Sequence, residues 1–337
     1  WHQGRLFFPV RKIKGLKKMR ILLIDQAKKS FREQDFGRWH FLPLYFEKEG
    51  NKILHVTRKE WKGFLLHYLK FNPDVVVSVG PVPGFIAAFC KRLGLIPSPI
   101  VHDWNDYWTE ILGPKYGLAR IAFLEKYSIE NSDFMTTPSR YLASKCEAYG
   151  KKAELILHGV DLDLSTRAAK LGGFSVLYIG EQSPYKRVDR IVTAVKGLKC
   201  NLYLIGEPSK ELQKNAPKNV HFLGKVQNAE IGSYIKAADV CVIANDQENL
   251  KMYEFAAAGK AVLGFKGRVS YFLTHMQDAY LTEDLREGLL TLMRNPSLRK
   301  KLRKNIKDLR VYSWKEISKK YLEFLDGVTR GKKKNEG

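Results

Sequence analysis

Three carboxylates, Asp246, Glu248 and Glu254, fall within a stretch of nine residues that also holds Asn249, Leu250 and Lys251. They follow the unbroken apolar run Val240-Cys241-Val242-Ile243-Ala244, which predicts a buried strand. The residues from Leu250 to Ala258 are good helix formers stopped by Gly259. The acids therefore sit where a strand hands over to a helix, the edge of an α/β sheet at which ligands bind. Backbone amides from Glu248 to Leu250 are left free by such a junction, and a helix N-terminus favours an anion such as a phosphate. Asp246 and Glu254 are separated by seven residues, one ahead of the helix and one inside it. That spacing suits a polyol bonded at one end and a second pair of hydroxyls at the other. Taken alone, the same acids also fit a solvated loop ahead of an ordinary core helix.

The elements that must position these residues alternate along the chain. Arg20-Ile21-Leu22-Leu23-Ile24-Asp25 predicts a first buried strand, followed by a charged loop to Gly37, a helix to Gly50 and a second strand around Lys52 to Val56. Asn72-Pro73 turns into the β-branched run Val75 to Val79, and Phe85 to Cys90 reads as a crossover helix. Pro99-Ile100-Val101 is a further strand that ends on His102-Asp103-Trp104-Asn105-Asp106, polar residues expected to face a crevice. Asp103 and Asp106 also fit caps of the next helix, and Ser139 a third cap. Strands from Phe174 to Gly180, Asn201 to Ile205 and Val220 to Gly224 continue the pattern, with a helix from Ala229 to Ala237. Alternation of this kind predicts parallel sheets. A chain of 337 residues suits two domains rather than one core.

Composition narrows the partners. The net charge is +23, from 58 basic and 35 acidic residues, so an anionic partner is expected, an anionic membrane and nucleic acid among them. The first 20 residues hold seven Lys or Arg and no acid, interspersed with Trp1, Leu6, Phe7, Phe8, Val10, Ile13 and Leu16, a mix compatible with lying on an anionic bilayer. Pro9 and Gly15 equally suit a solvated arm. The four cysteines are scattered without a C-x-x-C pair, which suggests neither a disulfide framework nor a zinc site and points to a reducing, cytoplasmic compartment. The apolar run Leu6 to Val10 is too short for a secretory signal, and Val75 to Cys90 is broken by Gly80, Pro81, Pro83 and Gly84. A nucleic-acid binder would want aromatics interleaved with basic residues in one element, and no such motif is found, so no specific nucleic-acid partner is expected.

The acid at 246, seven residues, and then Glu254-Phe255-Ala256-Ala257-Ala258-Gly259-Lys260-Ala261-Val262 resembles the E-x7-E signature of retaining group 1 (family 4) glycosyltransferases of the GT-B fold. Other segments extend the resemblance over about Met19 to Leu325. Gly180-Glu181-Gln182-Ser183-Pro184-Tyr185-Lys186-Arg187-Val188-Asp189 is similar to the family's diphosphate-binding element, His158-Gly159-Val160-Asp161 to its N-G-V-D segment, and Ser313-Trp314 to the start of its C-terminal helix.

The resemblance implies two Rossmann-like α/β domains facing a central cleft, with a C-terminal helix crossing back to the first. The expected divisions are a basic arm at 1–18, an acceptor-side domain at 19–168, a nucleotide-sugar domain at 169–312, and the crossover helix with a basic tail at 313–337. It implies catalytic roles for Asp246, Lys186 and His102. Donor contacts would come from Glu254, Glu248, Asn249, Leu250, Lys251, Gly180, Arg187, Gly206 and Gly37. Asp103, Asp106 and His158 would lie on the acceptor side.

No cofactor or metal is implied, and Asp161-Leu162-Asp163 is read as a linker turn rather than a metal motif. The co-substrate is a nucleotide diphospho-sugar and the acceptor a glycan, a lipid-linked sugar or another hydroxyl compound. The expected location is cytoplasmic, peripheral on the inner membrane face. Two departures stand out. Asp246 occupies a position where Glu is usual, its carboxylate about 1.5 Å nearer the backbone, so Glu248 is an alternative working acid. Glu181 stands where the family carries arginine, and an acid there repels a diphosphate. A degenerate binder of nucleotide or sugar is therefore the competing class.

Overall fold

The apolar runs expected to be strands form two parallel sheets, each flanked by the helices that cross between its strands. This computed structural model describes residues 15–309 and 311–335; most of the basic arm, residues 1–14, lies outside them. The first sheet contains β1 (Arg20–Ile24), β2 (Lys52–Val56), β3 (Val75–Val79), β4 (Ile100–Asp103), β5 (Phe134–Thr137) and β6 (Ala153–Leu155), in the order β2-β1-β3-β4-β5-β6. Its helices are α1 (Arg38–Lys48), α2 (Phe64–Phe71), α3 (Pro81–Arg92), α4 (Trp108–Tyr116), α5 (Leu118–Asn131) and α6 (Arg140–Glu147).

The chain leaves through β7 (Gly159–Val160) and enters the second sheet: β8 (Ser175–Ile179), β9 (Asn201–Ile205), β10 (Val220–Gly224), β11 (Val240–Ile243), β12 (Ala261–Phe265) and β13 (Tyr280–Thr282), in the order β10-β9-β8-β11-β12-β13. Here the helices are α7 (Val188–Val195), α8 (Lys210–Asn215), α9 (Asn228–Ala237), α10 (Leu250–Ala257), α11 (Leu285–Arg294) and α12 (Pro296–Ile306). A return strand, β14 (Tyr312–Ser313), pairs in parallel with β7, and α13 (Trp314–Asn335) follows it.

In both sheets the strand order reverses at the first strand, β1 lying between β2 and β3 and β8 between β9 and β11. Loops that leave the carboxyl ends on either side of such a reversal diverge and open a crevice. The loops after β8 and β11 are those that carry Lys186 and Asp246.

β3 is buried at all five positions, as a strand covered on both faces must be. One face packs on α1 and α13, through Trp39, Leu42 and Phe46 against Trp314, Tyr321 and Leu325. The other packs on α2 and α3, through Phe64, Tyr68, Ala87 and Cys90. The last helix is thus part of the first domain's core. The basic tail expected after the crossover helix continues α13 through residues 330–334.

The backbone of Gly159 lies in β7, where it allows a close approach. A Cβ built there would stand 2.6 Å from Trp314 Cα, so only glycine lets the linker strand and the returning helix touch. Gly159→Ala is expected to destabilise the protein by about 1–3 kcal/mol through overpacking. Chemical denaturation measures it, and a midpoint equal to the parent's would mean that α13 shifts freely to make room.

Candidate active site

In the second domain, β8 ends at Ile179 and the turn Pro184–Lys186 brings Lys186 Nζ to 5.0 Å from the centroid of the Tyr185 ring. β11 ends at Ile243, and Asn249 caps α10 by accepting the Lys251 N–H at 3.1 Å, as short polar residues do. One turn into α10, Glu254 is buried and accepts a 2.7 Å hydrogen bond from Lys251 Nζ. Asp246 is more open, its side chain 41% exposed. Its two oxygens take Nε and Nη2 of Arg268 at 3.1 and 3.0 Å.

Arg268, in the turn after β12, is a residue the sequence reading missed. Its guanidinium lies 4.5 Å from the ring centroid of Tyr107 and 5.4 Å from that of Tyr141, both in the first domain, and Nη1 reaches Glu110 on α4 at 2.6 Å. Glu110 also accepts Gln247 Nε2 at 3.0 Å, so the acidic loop is clasped across the interdomain cleft. The available signal was positional: Lys266-Gly267-Arg268 leaves the carboxyl end of the strand next to β11.

Asp106 is a second first-domain acid beside this group, after Glu110. Burial raises its pKa, with the Lys186 charge pulling the other way. Its Oδ1 accepts the N–H of Tyr107, just ahead of α4. Tyr185 belongs to the same cluster: burial raises its hydroxyl's pKa, and the charge of Asp106 adds to the rise.

Several expected contacts are not assembled there. β4 continues past Val101 through Asp103, so His102 and Asp103 are strand residues whose side chains point to opposite faces. His102 is fully buried, with Nδ1 3.0 Å from Ser78 Oγ and its ring beside Gly84, and burial lowers its pKa to about 4. It is a neutral core imidazole under α3, not a sugar contact. Asp103 is also fully buried; Oδ2 accepts Arg38 Nε and Nη2 at 3.2 and 3.0 Å, Thr136 Oγ1 at 2.9 Å and Tyr321 OH at 3.2 Å. It anchors α1 and α13 and does not reach an acceptor.

Glu248 turns away from Asp246. Buried, it accepts Ser139 Oγ at 2.8 Å from the start of α6, and burial raises its pKa. Its place is the domain interface, and the position facing the cleft is that of Asp246. His158 is wedged edge-on between Tyr253 and Trp314, and burial lowers its pKa to about 3 with the Arg38 charge assisting. Gly206 abuts the Gly180 carbonyl, so the turns after β8 and β9 nest on one another and no Cβ fits between them. Arg187, exposed and left-handed at φ 55°, lines a separate hollow with Ser183 and Leu212. Gly37, at φ 100°, is the N-cap of α1.

Gly37 and Asp106 also share the wall of a cavity of about 1080 Å³ in the first domain. Gln26, Trp39, Trp61, Asn105 and Trp108 line it as well. Four polar atoms of those side chains are buried without a hydrogen-bond partner: Gln26 Nε2, Trp39 Nε1, Trp108 Nε1 and Asn105 Oδ1. Three donors and an acceptor without partners are costly unless a ligand engages them.

Two parallel six-stranded lobes meeting at a cleft, with a helix returning to the first, define the GT-B fold. Residues 173–295 match the family model for glycosyl transferases group 1. An uncharacterized glycosyltransferase of Methanocaldococcus jannaschii is 27% identical over 306 residues, 82% of this chain and 85% of that protein. Sucrose-phosphate synthase from Thermosynechococcus elongatus superposes with a TM-score of 0.78 at 15% identity, over 93% of this chain and 100% of that one. Anabaena HepE, solved in complex with UDP-glucose, gives a TM-score of 0.70 at 15% identity, over 92% of this chain and 100% of that one. The chain thus has the GT-B fold, and its residues 173–295 are similar to the group 1 glycosyltransferases.

Proposed function

We propose that this enzyme moves a hexosyl group from a nucleotide diphospho-sugar to a hydroxyl-bearing acceptor with retention at the anomeric carbon. The observation that carries the reading is that the loop bearing Lys186 and the loop bearing Asp246 and the start of α10 leave the adjacent strands β8 and β11 at the strand-order reversal of the second sheet. The complex of HepE with UDP-glucose supports a nucleotide sugar as donor.

The difficulty of the reaction is charge. As the bond from the anomeric carbon to the diphosphate oxygen breaks, the leaving group gains negative charge and the sugar becomes oxocarbenium-like. Lys186 and the first amides of α10 stabilise the former, and because they supply positive charge we draw the transfer without a metal ion. Asp246 fixes the sugar through a hydroxyl once Arg268 yields one of its oxygens, and Glu254 holds the ribose. Asp106 accepts a hydrogen bond from the incoming hydroxyl; burial keeps its pKa above the ordinary carboxylate range, which suits a group that must take up a proton. The cavity beside Asp106, with unpartnered donors on two indoles and Gln26 and an acceptor on Asn105, fits the hydroxyls of a sugar acceptor.

A panel of nucleotide sugars assayed by thermal shift tests the donor side, because a ligand that binds only the folded state raises the melting temperature. At least one sugar nucleotide is expected to stabilise the protein, and Glu254→Ala is expected to remove most of that shift. An equal shift in the variant would place the ribose elsewhere. Glu181, exposed beside the Lys186 turn, favours the second reading, a protein that binds the donor without using it. Stabilisation by a donor with no transfer to any hydroxyl acceptor would select that reading.

A further inference from the structure

Among the described residues, ten of the twelve large apolar side chains that stand exposed belong to residues 36–134. Most lie on helices over one face of the first sheet. α3 is amphipathic in the reverse of the usual sense: Gly84, Ala87, Ala88 and Cys90 face inward, while Phe85 and Phe89 face outward with Leu93 just beyond. Phe85 stacks on Phe89 with centroids 5.6 Å apart and also meets Tyr127 at 4.9 Å and Phe123 at 6.4 Å, both on α5. The rings therefore form one aromatic ridge across two helices, with Phe89 43% and Phe123 59% exposed. Leu66 and Leu69 stand out from α2 on the same side of the sheet, and Leu118 and Tyr116 carry the apolar surface to the rim of the cavity that Tyr116 lines. A soluble surface that places small residues inside and large rings outside is shaped for something that covers it.

The charges around the ridge say what covers it. α2, α3 and α5 carry Lys70, Arg92, Arg120 and Lys126 on solvent-exposed positions against one exposed acid, Glu130, since Glu125 is buried. A second copy of the chain would bring the same basic rim and a net charge of +23. Residues 1–14 would add Arg5, Arg11, Lys12 and Lys14 and no acid. Both are repelled, whereas an anionic lipid surface accepts the basic side chains at its headgroups and the rings below them.

We propose that the α3–α5 flank is a docking face for an anionic bilayer, which sets the mouth of the first-domain cavity beside the membrane and makes the acceptor a lipid-borne hydroxyl. The docking face stands on its own observations; only its purpose rests on the transferase reading.

The test is sedimentation of the full chain with vesicles of phosphatidylglycerol and phosphatidylcholine, or of phosphatidylcholine alone, without donor. The parent is expected to bind the anionic vesicles, to release as salt is raised, and to leave neutral vesicles largely unbound. A variant carrying Phe89→Ser and Phe123→Ser is expected to lose more than about ten-fold in partitioning, while keeping the parent's donor-induced thermal shift. That retained shift separates failure of the docking face from failure of the transferase reading. Partitioning unchanged in the variant would overturn the proposal by assigning attachment to residues outside the flank. No binding of the parent to anionic vesicles would overturn it too, as would self-association without vesicles that the variant abolishes.

Discussion

Replacing Lys186 by alanine is expected to lower turnover by about 10²- to 10³-fold, the usual cost of removing one preorganised group from a developing oxyanion. The lysine sits on the turn after β8, and its charge pulls against the burial that raises the pKa of Asp106. Glu181, five residues earlier, gives no help with the diphosphate, so Lys186 is the cation of this turn that faces the cleft, Arg187 being turned toward another hollow. Because the leaving group carries most of its extra charge in the transition state, kcat should fall more than KM rises. Lys186→Arg should recover part of the loss, since it keeps the charge but presents it as a planar fork of different reach. Steady-state kinetics with the donor identified by thermal shift make the measurement. A kcat/KM within about three-fold of the parent would remove Lys186 from the reaction.

The parts of the fold that were legible in the sequence were those written in short-range pattern. β-branched runs bounded by turns predicted the strands, and Ser139 and Gly259 marked helix ends from their own chemistry. Asp246 could be placed because it follows closely on a buried strand, where chain order assigns the sheet edge, and Lys186 because its segment resembles the family's diphosphate-binding element. What the sequence concealed was decided by partners far away in the chain. His102 and Asp103 looked like loop residues because they are polar. They are strand residues because Ser78 accommodates one and Arg38, Thr136 and Tyr321 surround the other, at separations of 24 to 218 residues. Glu248 looked equivalent to Asp246 in the same loop until Ser139, 109 residues away, claimed it for the interface. Arg268 belongs to no motif; only the adjacency of β11 and β12 brings it to Asp246.

The largest stability effect is expected at Asp103. Four donors from three other elements converge on one of its oxygens, and Arg38, besides holding that oxygen, donates Nη1 to the Leu157 carbonyl of the linker at 3.0 Å. α1, β4, β5, the linker and the returning helix α13 are thus tied at a single buried carboxylate. Asp103→Ala leaves the Arg38 guanidinium buried without its counter-charge, an imbalance that costs about 3–5 kcal/mol. Removing both charges is a different matter. With Arg38→Met added to Asp103→Leu, no uncompensated charge remains, and apolar side chains of similar size often replace such a pair at little cost. The double variant should therefore be more stable than Asp103→Ala, although Tyr321 and Thr136 then keep only each other, 2.8 Å apart. Urea denaturation followed by the fluorescence of Trp39 and Trp314, which lie in the same core, reports on this junction. If Asp103→Ala unfolded at the parent's urea midpoint, the convergence on Asp103 would be geometry without energy, and the attachment of α13 would rest on the packing of Trp314, Ile317 and Leu325 alone.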